Sequence, residues 1–406
     1  MMRIWIDTAN VEGALGLFGL SPVERHLRAL SKLKDRPGLV VLSGPTVRVP
    51  VHDGVAVEGR AEAGTTAERL ARFLAEGEGP VMVLDGAAAV DPRLIAYLAE
   101  EGRSVVAFGG EGRERAAALR LNPDAAGQLG QGDGVLALAD RLSASGVAAE
   151  LMPEDFPSFI TNLRRSLPFW LFAVPDETVK ADREYWMFRS NYKGSTDFLT
   201  KWVYPPLVWQ LVKLCTRYRI HPNTITILST VLTFAAVPLF MYGHFWSGLA
   251  MAFAMTVLDS VDGKVARLTL TDSAFGNFLD HGLDIVHPPL WYLGWASGLI
   301  ATRGADYALW TAGLWLVAFY VADRIVLGIA KARFKRGLHA VTSLDAAVRT
   351  WIARRNVNLV IFTAGLALDR PEAAFLVVVA WQGLTMAWHA GRTAWLIAKP
   401  PAEMAG

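Results

Sequence analysis

The stretch that decides the fold of the C-terminal half is TVLDSVDGKVARLTLTDSAFGNFLDHGLDIVHPP, residues 256–289. It lies among long apolar runs, yet it carries four aspartates, at positions 259, 262, 280 and 284. A charged side chain in the middle of a bilayer is costly, so acids placed there usually face a cavity and serve a function. The stretch therefore predicts a polar site enclosed by membrane helices.

The spacing sorts these aspartates into two pairs. Asp259 and Asp262 are three residues apart, so they share one helix face. Asp280 and Asp284 are four residues apart and share a face of the next helix. Scattered charges at helix ends would explain one or two such acids, but not four with this phasing. Carboxylates that meet repel one another unless cations lie between them. Oxygen ligands favour Mg²⁺ or Mn²⁺ over zinc, and two such ions would suit phosphoryl transfer.

Apolar segments long enough to cross a bilayer follow residue 200, since a transmembrane helix needs roughly 20 mainly apolar residues. Six are predicted: 224–243, 247–268, 274–301, 306–330, 356–369 and 372–397. The fifth is short, and we expect it to begin near Trp351. Basic residues cluster before the first segment and between the fourth and fifth. The positive-inside rule then places both termini and the N-terminal domain in the cytoplasm of an integral membrane protein, in the inner membrane if the source is bacterial.

Ahead of the first segment, residues 206–217 have the pattern of an amphipathic helix. Leu207, Leu211 and Leu214 share one face, and Lys213 lies toward another. Such a helix suits the bilayer surface. The alternative is an additional core helix.

The acidic stretch resembles the signature of the CDP-alcohol phosphotransferase (CDP-alcohol phosphatidyltransferase) family. The matching residues are Asp259, Asp262, Gly263, Ala266, Arg267, Gly276, Asp280 and Asp284, with every gap between them as in the family. The resemblance extends over about residues 195–400. It implies an all-α, six-helix membrane domain with a surface helix. It also implies an enzyme that moves a substituted phosphate from a CDP-alcohol to the hydroxyl of a second alcohol and releases CMP.

The resemblance also implies roles for single residues. Asp259, Asp262, Asp280 and Asp284 would hold two Mg²⁺ or Mn²⁺ ions. Asp284 would in addition be the catalytic base that takes the proton of the acceptor hydroxyl. The residues implied in binding CDP are Asn223, Thr224, Ile225, Thr226, Gly263, Arg267, Ser273 and Gly276. Each glycine, taken alone, is equally typical of helix packing.

Arg354 and Arg355 form a second polar patch at the start of the fifth segment. One interpretation is that they bind a phosphate of the acceptor or the donor. The other is that they only mark the cytoplasmic side of the membrane.

Residues 1–150 alternate strand-like and helix-like pieces, which predicts an α/β domain with a mainly parallel sheet. The predicted strands are MRIWID, GLVVLS, VRVPV, PVMVLDG and RSVVAFGG. Pieces of this region are similar to the NTP-transferase-like (nucleotidyltransferase) fold. The whole arrangement is similar to fusions of the di-myo-inositol-phosphate-phosphate synthase type. Residues 151–200 are expected to form a connector and residues 201–400 the membrane domain. In the connector, Lys193 and Asp197 are expected to be exposed, either as solvated surface or as contacts near the mouth of the active site.

The N-terminal domain departs from active nucleotidyltransferases. These place a glycine-rich loop with Arg and Lys after the first strand, whereas DTANVEGALGLFG has no basic residue before Arg25. Asp85 is a counterpart of their metal-binding Asp, but DGAAAV brings no second acid. We therefore expect a non-catalytic domain that acts as a scaffold, regulator or nucleotide sensor.

The remaining expectations concern partners and competing functions. The net charge of +2 gives no case for nucleic-acid binding, and the single cysteine excludes an internal disulfide. The resemblance implies a donor such as CDP-diacylglycerol or CDP-inositol and an alcohol or phospho-alcohol acceptor. It also implies contact with membrane lipid and a homodimer.

One alternative is a bifunctional enzyme that also makes the CDP-alcohol from CTP. Another is a divalent-cation transporter, which would have no use for Gly263 and Arg267 beside the acids.

Overall fold

The computed structural model describes residues 2–52, 54–160 and 163–399, except for the side chains of Ala126, Pro153, Asn277, Asp280 and His281. The chain divides into two compact units. The first comprises Met1–Ile160, Ser166–Ser190 and Leu268–Leu270. The second comprises Thr161–Arg165, Asn191–Arg267 and Thr271–Gly406.

The first unit is an α/β structure. Strands are β1 Arg3–Asp7, β2 Val40–Gly44, β3 Val57–Ala61, β4 Val81–Asp85, β5 Ala88–Val90, β6 Val105–Gly109, β7 Ala116–Leu121, β8 Ala149–Glu150, β9 Phe159–Ile160, β10 Arg165–Ser166 and β11 Leu171–Ala173. Helices are α1 Pro22–Leu30, α2 Thr66–Ala75, α3 Pro92–Glu100, α4 Val135–Ala144 and α5 Glu177–Ser190. Capping boxes begin α1 at Ser21 and α2 at Thr65, so the sequence itself sets these helix starts.

The main sheet has the order β3-β2-β1-β4-β7-β6-β8. The strand β1 pairs in parallel with β2 and β4, while β7 runs antiparallel to β4 and β6. Along β1, Ile4 and Ile6 pack into the core on one face and Trp5 into the core on the other. A strand covered on both faces reads as a continuous apolar run, which is why it could be predicted. The α/β class and the mainly parallel sheet are confirmed, whereas the narrower likeness to NTP-transferases stays a prediction.

One predicted strand is wrong. VRVPV, residues 47–51, has an irregular backbone, and the strand that pairs with β2 is β3, Val57–Ala61. Pro50 has no N–H to donate to a neighbouring strand, which disfavours a ladder at this point.

The second unit is helical. Its helices are α6 Pro205–Arg217, α7 Pro222–Met241, α8 Phe245–Thr269, α9 Ala274–Arg303, α10 Ala308–Phe334, α11 Ser343–Val348, α12 Arg355–Ala367 and α13 Pro371–Ala398. Helix α7 packs on α9, and α13 packs on both α10 and α12. Trp295 of α9 stacks on Phe362 of α12, with ring centroids 4.3 Å apart, in the centre of this bundle.

Each predicted membrane segment corresponds to a helix, but the count of six spans is not confirmed. Within the described residues, three helices are long and apolar enough to cross a membrane: α7, α10 and α13. Helix α12 has only 13 residues, which at 1.5 Å per residue makes it about 20 Å long. Its expected start near Trp351 is wrong, because Trp351 lies in a turn and the helix begins at Arg355.

Candidate active site

Arg355, the first residue of α12, bridges Asp259 and Asp284, two of the predicted metal ligands. The guanidinium of Arg355 donates from Nη2 to Asp259 Oδ2 of α8 at 2.7 Å and from Nη1 to Asp284 Oδ1 of α9 at 2.9 Å. The Asp284 side chain is 50 % exposed, whereas that of Asp259 is 25 % exposed. The two acids therefore lie close enough to share one cationic group, while Asp284 stays open to a substrate.

The backbone that carries Asp284 is held by Tyr320 of α10. Pro288 and Pro289 interrupt α9, and proline has no N–H to donate to the carbonyl four residues earlier. The carbonyls left without helical partners are those of Asp284 and Ile285. The Tyr320 hydroxyl lies 3.0 Å and 3.2 Å from these two oxygens and donates to them. The two prolines and the tyrosine together determine the position of the predicted base.

Asp262 is buried and is directed toward α7. Its Oδ2 accepts a hydrogen bond from Thr226 Oγ1 at 2.7 Å, and its Oδ1 accepts one from the Gly263 amide at 2.5 Å. Thr226, predicted to contact the nucleotide, thus orients a predicted metal ligand. Asp280 was predicted as a further ligand, but its side chain lies outside the described part of the chain.

The first turns of α7 and α9 approach each other at Asn223. Ser273 caps α9 by accepting from the Gly276 amide at 3.0 Å, and its hydroxyl lies 3.2 Å from Asn223 Oδ1. A Cβ at Gly276 would lie 2.8 Å from that same oxygen, so a side chain at this position would displace the Asn223 side chain from its contact with Ser273. Nearby on α7, Thr224 is exposed and Ile225 is buried.

A cleft of about 190 Å³ opens beside the Arg355 bridge. Of the predicted site residues, those that line it are Asp259, Gly263, Arg267, Asp284, Arg354 and Arg355. Asn223, Thr224, Ile225, Thr226, Asp262, Ser273 and Gly276, all described, are not among its lining residues. The structure therefore separates the predicted site into this cleft and a second group around the start of α7.

The cleft is rich in further cations, of which the sequence indicated Arg324 and Lys193 only as one of two interpretations and did not indicate the others. These are Lys193, Lys264, Arg324 and Arg349, which lie there together with Arg267, Arg354 and Arg355. Lys193, Lys264, Arg324 and Arg349 lie on separate segments of the chain. Taken alone, each has the ordinary explanation of a charge on the cytoplasmic side of the membrane. The excess of Lys and Arg at the ends of predicted spans was the one signal that could have found them.

The expectation that Asp197 is solvated is wrong. Its side chain is 5 % exposed and accepts from Asn356 Nδ2 at 2.9 Å and from Thr200 Oγ1 at 3.0 Å. Lys193 also lines the cleft, but its side chain is exposed, as expected. The connector thus contributes one wall of the site.

Several of these cations have no carboxylate partner. Within the described residues, no Asp or Glu oxygen lies within 4.0 Å of Lys193, Arg324, Arg349 or Arg354. Burial, and then repulsion from Arg164 and Arg267, lowers the pKa of Lys193 to about 8. Burial, and then the charge of Arg354, lowers the pKa of Arg349. Such desolvated cations favour an anionic ligand.

The carboxylates fit the chemistry of a hard divalent cation. Asp259 and Asp284 already share one positive group, and Asp262 is adjacent on α8. Among the side chains that are described, no three His, Cys, Asp or Glu converge as a preformed metal site. The donor set is all oxygen, which is what Mg²⁺ and Mn²⁺ prefer.

Comparison with known proteins identifies the helical region. Residues 219–395 match the family model described as CDP-alcohol phosphatidyltransferase. A stretch of 71 residues is 38% identical to archaetidylinositol phosphate synthase of Aeropyrum pernix and covers 18% of this chain and 37% of that protein. The chain thus matches well under half the length of this curated relative.

Two solved structures of phosphatidylinositol phosphate synthase from Mycobacterium tuberculosis are also similar. The one with CDP-DAG bound is 18% identical, covers 47% of this chain and 93% of that chain, and has a TM-score of 0.37. The one in complex with manganese and citrate is 19% identical, covers 47% and 89%, and has a TM-score of 0.38. Since both TM-scores are below 0.5, neither likeness establishes a shared fold. The predicted transferase region is supported to this extent: residues 219–395, somewhat under half of the chain, match the family model of CDP-alcohol phosphatidyltransferases.

Proposed function

We propose that this chain is an integral-membrane transferase that moves a substituted phosphate from a CDP-alcohol to the hydroxyl of a phosphorylated alcohol, with release of CMP. The observation that carries the proposal is the pairing of Asp259 and Asp284 through Arg355, in the wall of a cleft lined by further cations. Acids that can bind metal and cations that can bind phosphate meet there.

Asp259, Asp262 and Asp284, together with Asp280, would hold one or two divalent ions. When bound, such ions neutralise a diphosphate and stabilise the developing charge on the leaving nucleotide. Thr226 fixes the orientation of Asp262 by donating to it at 2.7 Å. Gly263 and Arg267 line the same cleft, where the guanidinium suits a phosphate oxygen.

Asp284 is the proposed base. Its half-exposed carboxylate accepts the proton of the acceptor hydroxyl while the acceptor oxygen forms a bond to the phosphorus next to the donor alcohol. The bond between this phosphorus and the bridging oxygen of CMP breaks, and CMP leaves with the electron pair. Tyr320 holds the Asp284 backbone during this step.

Lys193, Arg324, Arg349 and Arg354 would bind a phosphate on the acceptor. An uncharged alcohol would leave Arg324, Arg349 and Arg354, which are partly buried, without a carboxylate at ion-pair distance among the described residues, which is unfavourable. A phosphorylated polyol also agrees with the name of the Aeropyrum relative, which contains inositol phosphate. CDP-diacylglycerol is the preferred donor in this proposal, since α10 and α13, which are long and apolar enough to cross a membrane, contribute residues to the lining of the cleft. CDP-inositol is the alternative.

The proposed organisation is an NTP-transferase-like domain at residues 1–150, a connector at 151–200 and the membrane domain at 201–400. The N-terminal domain is proposed to be cytoplasmic and non-catalytic. Asp7, at the end of β1, is engaged by Arg69 Nη2 at 2.5 Å and by Thr66 Oγ1 at 2.7 Å, so an internal pair occupies the strand end where a ligand would meet the sheet. The enzyme is proposed to work as a homodimer.

The test is release of CMP from CDP-diacylglycerol by the purified full chain in Mg²⁺. We expect release with inositol 1-phosphate as acceptor and much less with inositol. Release with inositol alone would contradict the phosphorylated acceptor. No release with any alcohol or phospho-alcohol, together with Mn²⁺ flux across proteoliposomes, would favour a transporter and contradict the proposal.

A further inference from the structure

One face of α13 is hydrogen-bonded to the segment 338–353, which contains Arg349 and leads into Arg354 and Arg355. Trp381, Thr385 and Arg392 are spaced by four and seven residues, which places them on one face of the helix. Each makes a hydrogen bond to the segment 338–353 or to a side chain within it. Three hydrogen bonds along one face of α13 thus connect the helix to this segment.

The three contacts are made at residues 345, 351 and 353 of the segment. Arg392 Nε donates to the fully buried Asp345 at 2.7 Å, and Thr342 also donates to that carboxylate at 2.6 Å. Thr385 Oγ1 accepts from the Ala353 amide at 2.9 Å. Trp381 Nε1 donates to the Trp351 carbonyl at 3.0 Å. The backbone is thus held on both sides of Arg349 and immediately before Arg354.

This attachment explains why the segment 349–354 is a turn and not an extension of α12. The Trp351 carbonyl and the Ala353 amide find partners on α13, so they need none within a helix. In a helix through these residues, each residue would be turned about the helix axis by about 100° relative to the one before it, which would change the directions of Arg349 and Arg354. The turn instead lets Arg349, Arg354 and Arg355 all line one cleft.

We propose that Trp381, Thr385 and Arg392 are positioning residues for the phosphate-bearing part of the acceptor. They hold Arg349 and Arg354 at the correct spacing, although none of the three contacts the cleft. The inference rests on the proposed function only in naming the acceptor as the source of the phosphate. Loss of one contact loosens the arginines, which weakens phosphate binding and leaves the carboxylates of α8 and α9 in place.

The test compares matched substitutions on α13 in the full chain. Thr385→Val removes the hydroxyl that accepts from Ala353, whereas Thr385→Ser retains it. Thr393→Val is the control, because Thr393 is a buried threonine of the same helix whose hydroxyl has no partner among the described residues. Trp381→Phe keeps an aromatic side chain but removes the indole N–H, at a partly exposed position where the protein is expected to tolerate the change.

The first readout is stabilisation of each protein against heat by inorganic phosphate, which requires no turnover. We expect Thr385→Val to need roughly tenfold more phosphate than the wild type, as for the loss of one buried hydrogen bond, and Trp381→Phe to need more as well, although less so because its hydrogen bond is exposed. Thr385→Ser and Thr393→Val should match the wild type. Equal phosphate affinity in all variants, or no stabilisation of the wild type, would overturn the inference.

The second readout is CMP release from CDP-diacylglycerol and inositol 1-phosphate. Thr385→Val should raise the KM for inositol 1-phosphate and leave the KM for the donor unchanged. A rise in both KM values would indicate a merely structural role and would also overturn the inference. If the wild type released no CMP but bound phosphate, the proposed function would fail while the positioning role would still be decided by the first readout.

Discussion

The hydroxyl of Tyr320 lies 3.0 Å from the carbonyl oxygen of Asp284, the oxygen that Pro288 leaves without a helical donor. A residue of α10 thereby completes the hydrogen bonding of α9 at the proposed base. We expect Tyr320→Phe to lower kcat roughly tenfold, because a partly buried carbonyl loses its partner and the carboxylate moves.

The double variant Tyr320→Phe with Pro288→Ala tests this relationship. Alanine at position 288 restores an N–H for the Asp284 carbonyl, so kcat should recover in part. If the second substitution gives no recovery while the protein stays folded, the hydroxyl acts in another way, such as direct contact with substrate.

Asp284→Asn should abolish turnover without unfolding the chain. The amide keeps the shape of the side chain but takes no proton, so kcat should fall by roughly 100-fold or more, the usual contribution of a general base. The control is Asp369→Asn, because the Asp369 side chain is 85 % exposed and pairs only with Arg303 on the surface. A fully active Asp284→Asn enzyme would require another base.

Arg355→Gln should strengthen the binding of Mn²⁺, measured by electron paramagnetic resonance on the purified protein. The guanidinium bonds to Asp259 and Asp284 and therefore competes with a divalent ion for the same oxygens. Arg354→Gln removes an equal charge from the same cleft without breaking a bond to either acid. Weaker Mn²⁺ binding in Arg355→Gln would mean that the arginine preorganises the carboxylates.

The efficiency with the phosphorylated acceptor should fall above about pH 8. Burial lowers the pKa of Lys193 to about 8, so this side chain is charged below that pH and loses its charge as the pH rises through it. The measurement is kcat/KM for inositol 1-phosphate against pH, which reports groups of the free enzyme. In Lys193→Arg the decline at this pH should disappear. An identical profile in the variant would assign the decline to another group.

The full chain should release no pyrophosphate from CTP in the presence of inositol 1-phosphate and Mg²⁺. No Lys or Arg lies between β1 and Arg25, and Asp7 is already paired with Arg69. Pyrophosphate formation that persists in Asp284→Asn would instead assign a cytidylyltransferase activity to the N-terminal domain and support a bifunctional enzyme.

The sequence predicts those parts of the site that depend on short-range spacing. Asp259 and Asp262 share a helix face because they are three residues apart, and the apolar β1 indicates a covered strand. Helix starts at Ser21 and Thr65 are equally local, since each capping box lies within four residues. The long apolar runs locate the helices that pass through the membrane domain.

Contacts between distant segments could not be predicted in this way. Arg355 lies 96 residues from Asp259, and Asn356 lies 159 residues from Asp197. Each has an ordinary explanation as a charge or polar residue near the membrane surface, so its partner becomes apparent only when the helices pack. The turn at Trp351 was missed for the same reason, since its backbone partners come from α13.

The length of α12 has a consequence for how a lipid substrate reaches the cleft. The ion pairs of Arg303 with Asp369 and Glu372 lie just beyond its C-terminal end, and such exposed charges favour a position in water. Its 13 residues rise about 20 Å, whereas the hydrocarbon layer is about 30 Å thick. Its first residue, Arg355, would then lie below the level of the headgroups, with water following the guanidinium inward. A diacyl donor would then reach the cleft laterally, with its polar head entering the hydrated region around Arg355 and both acyl chains staying in one leaflet.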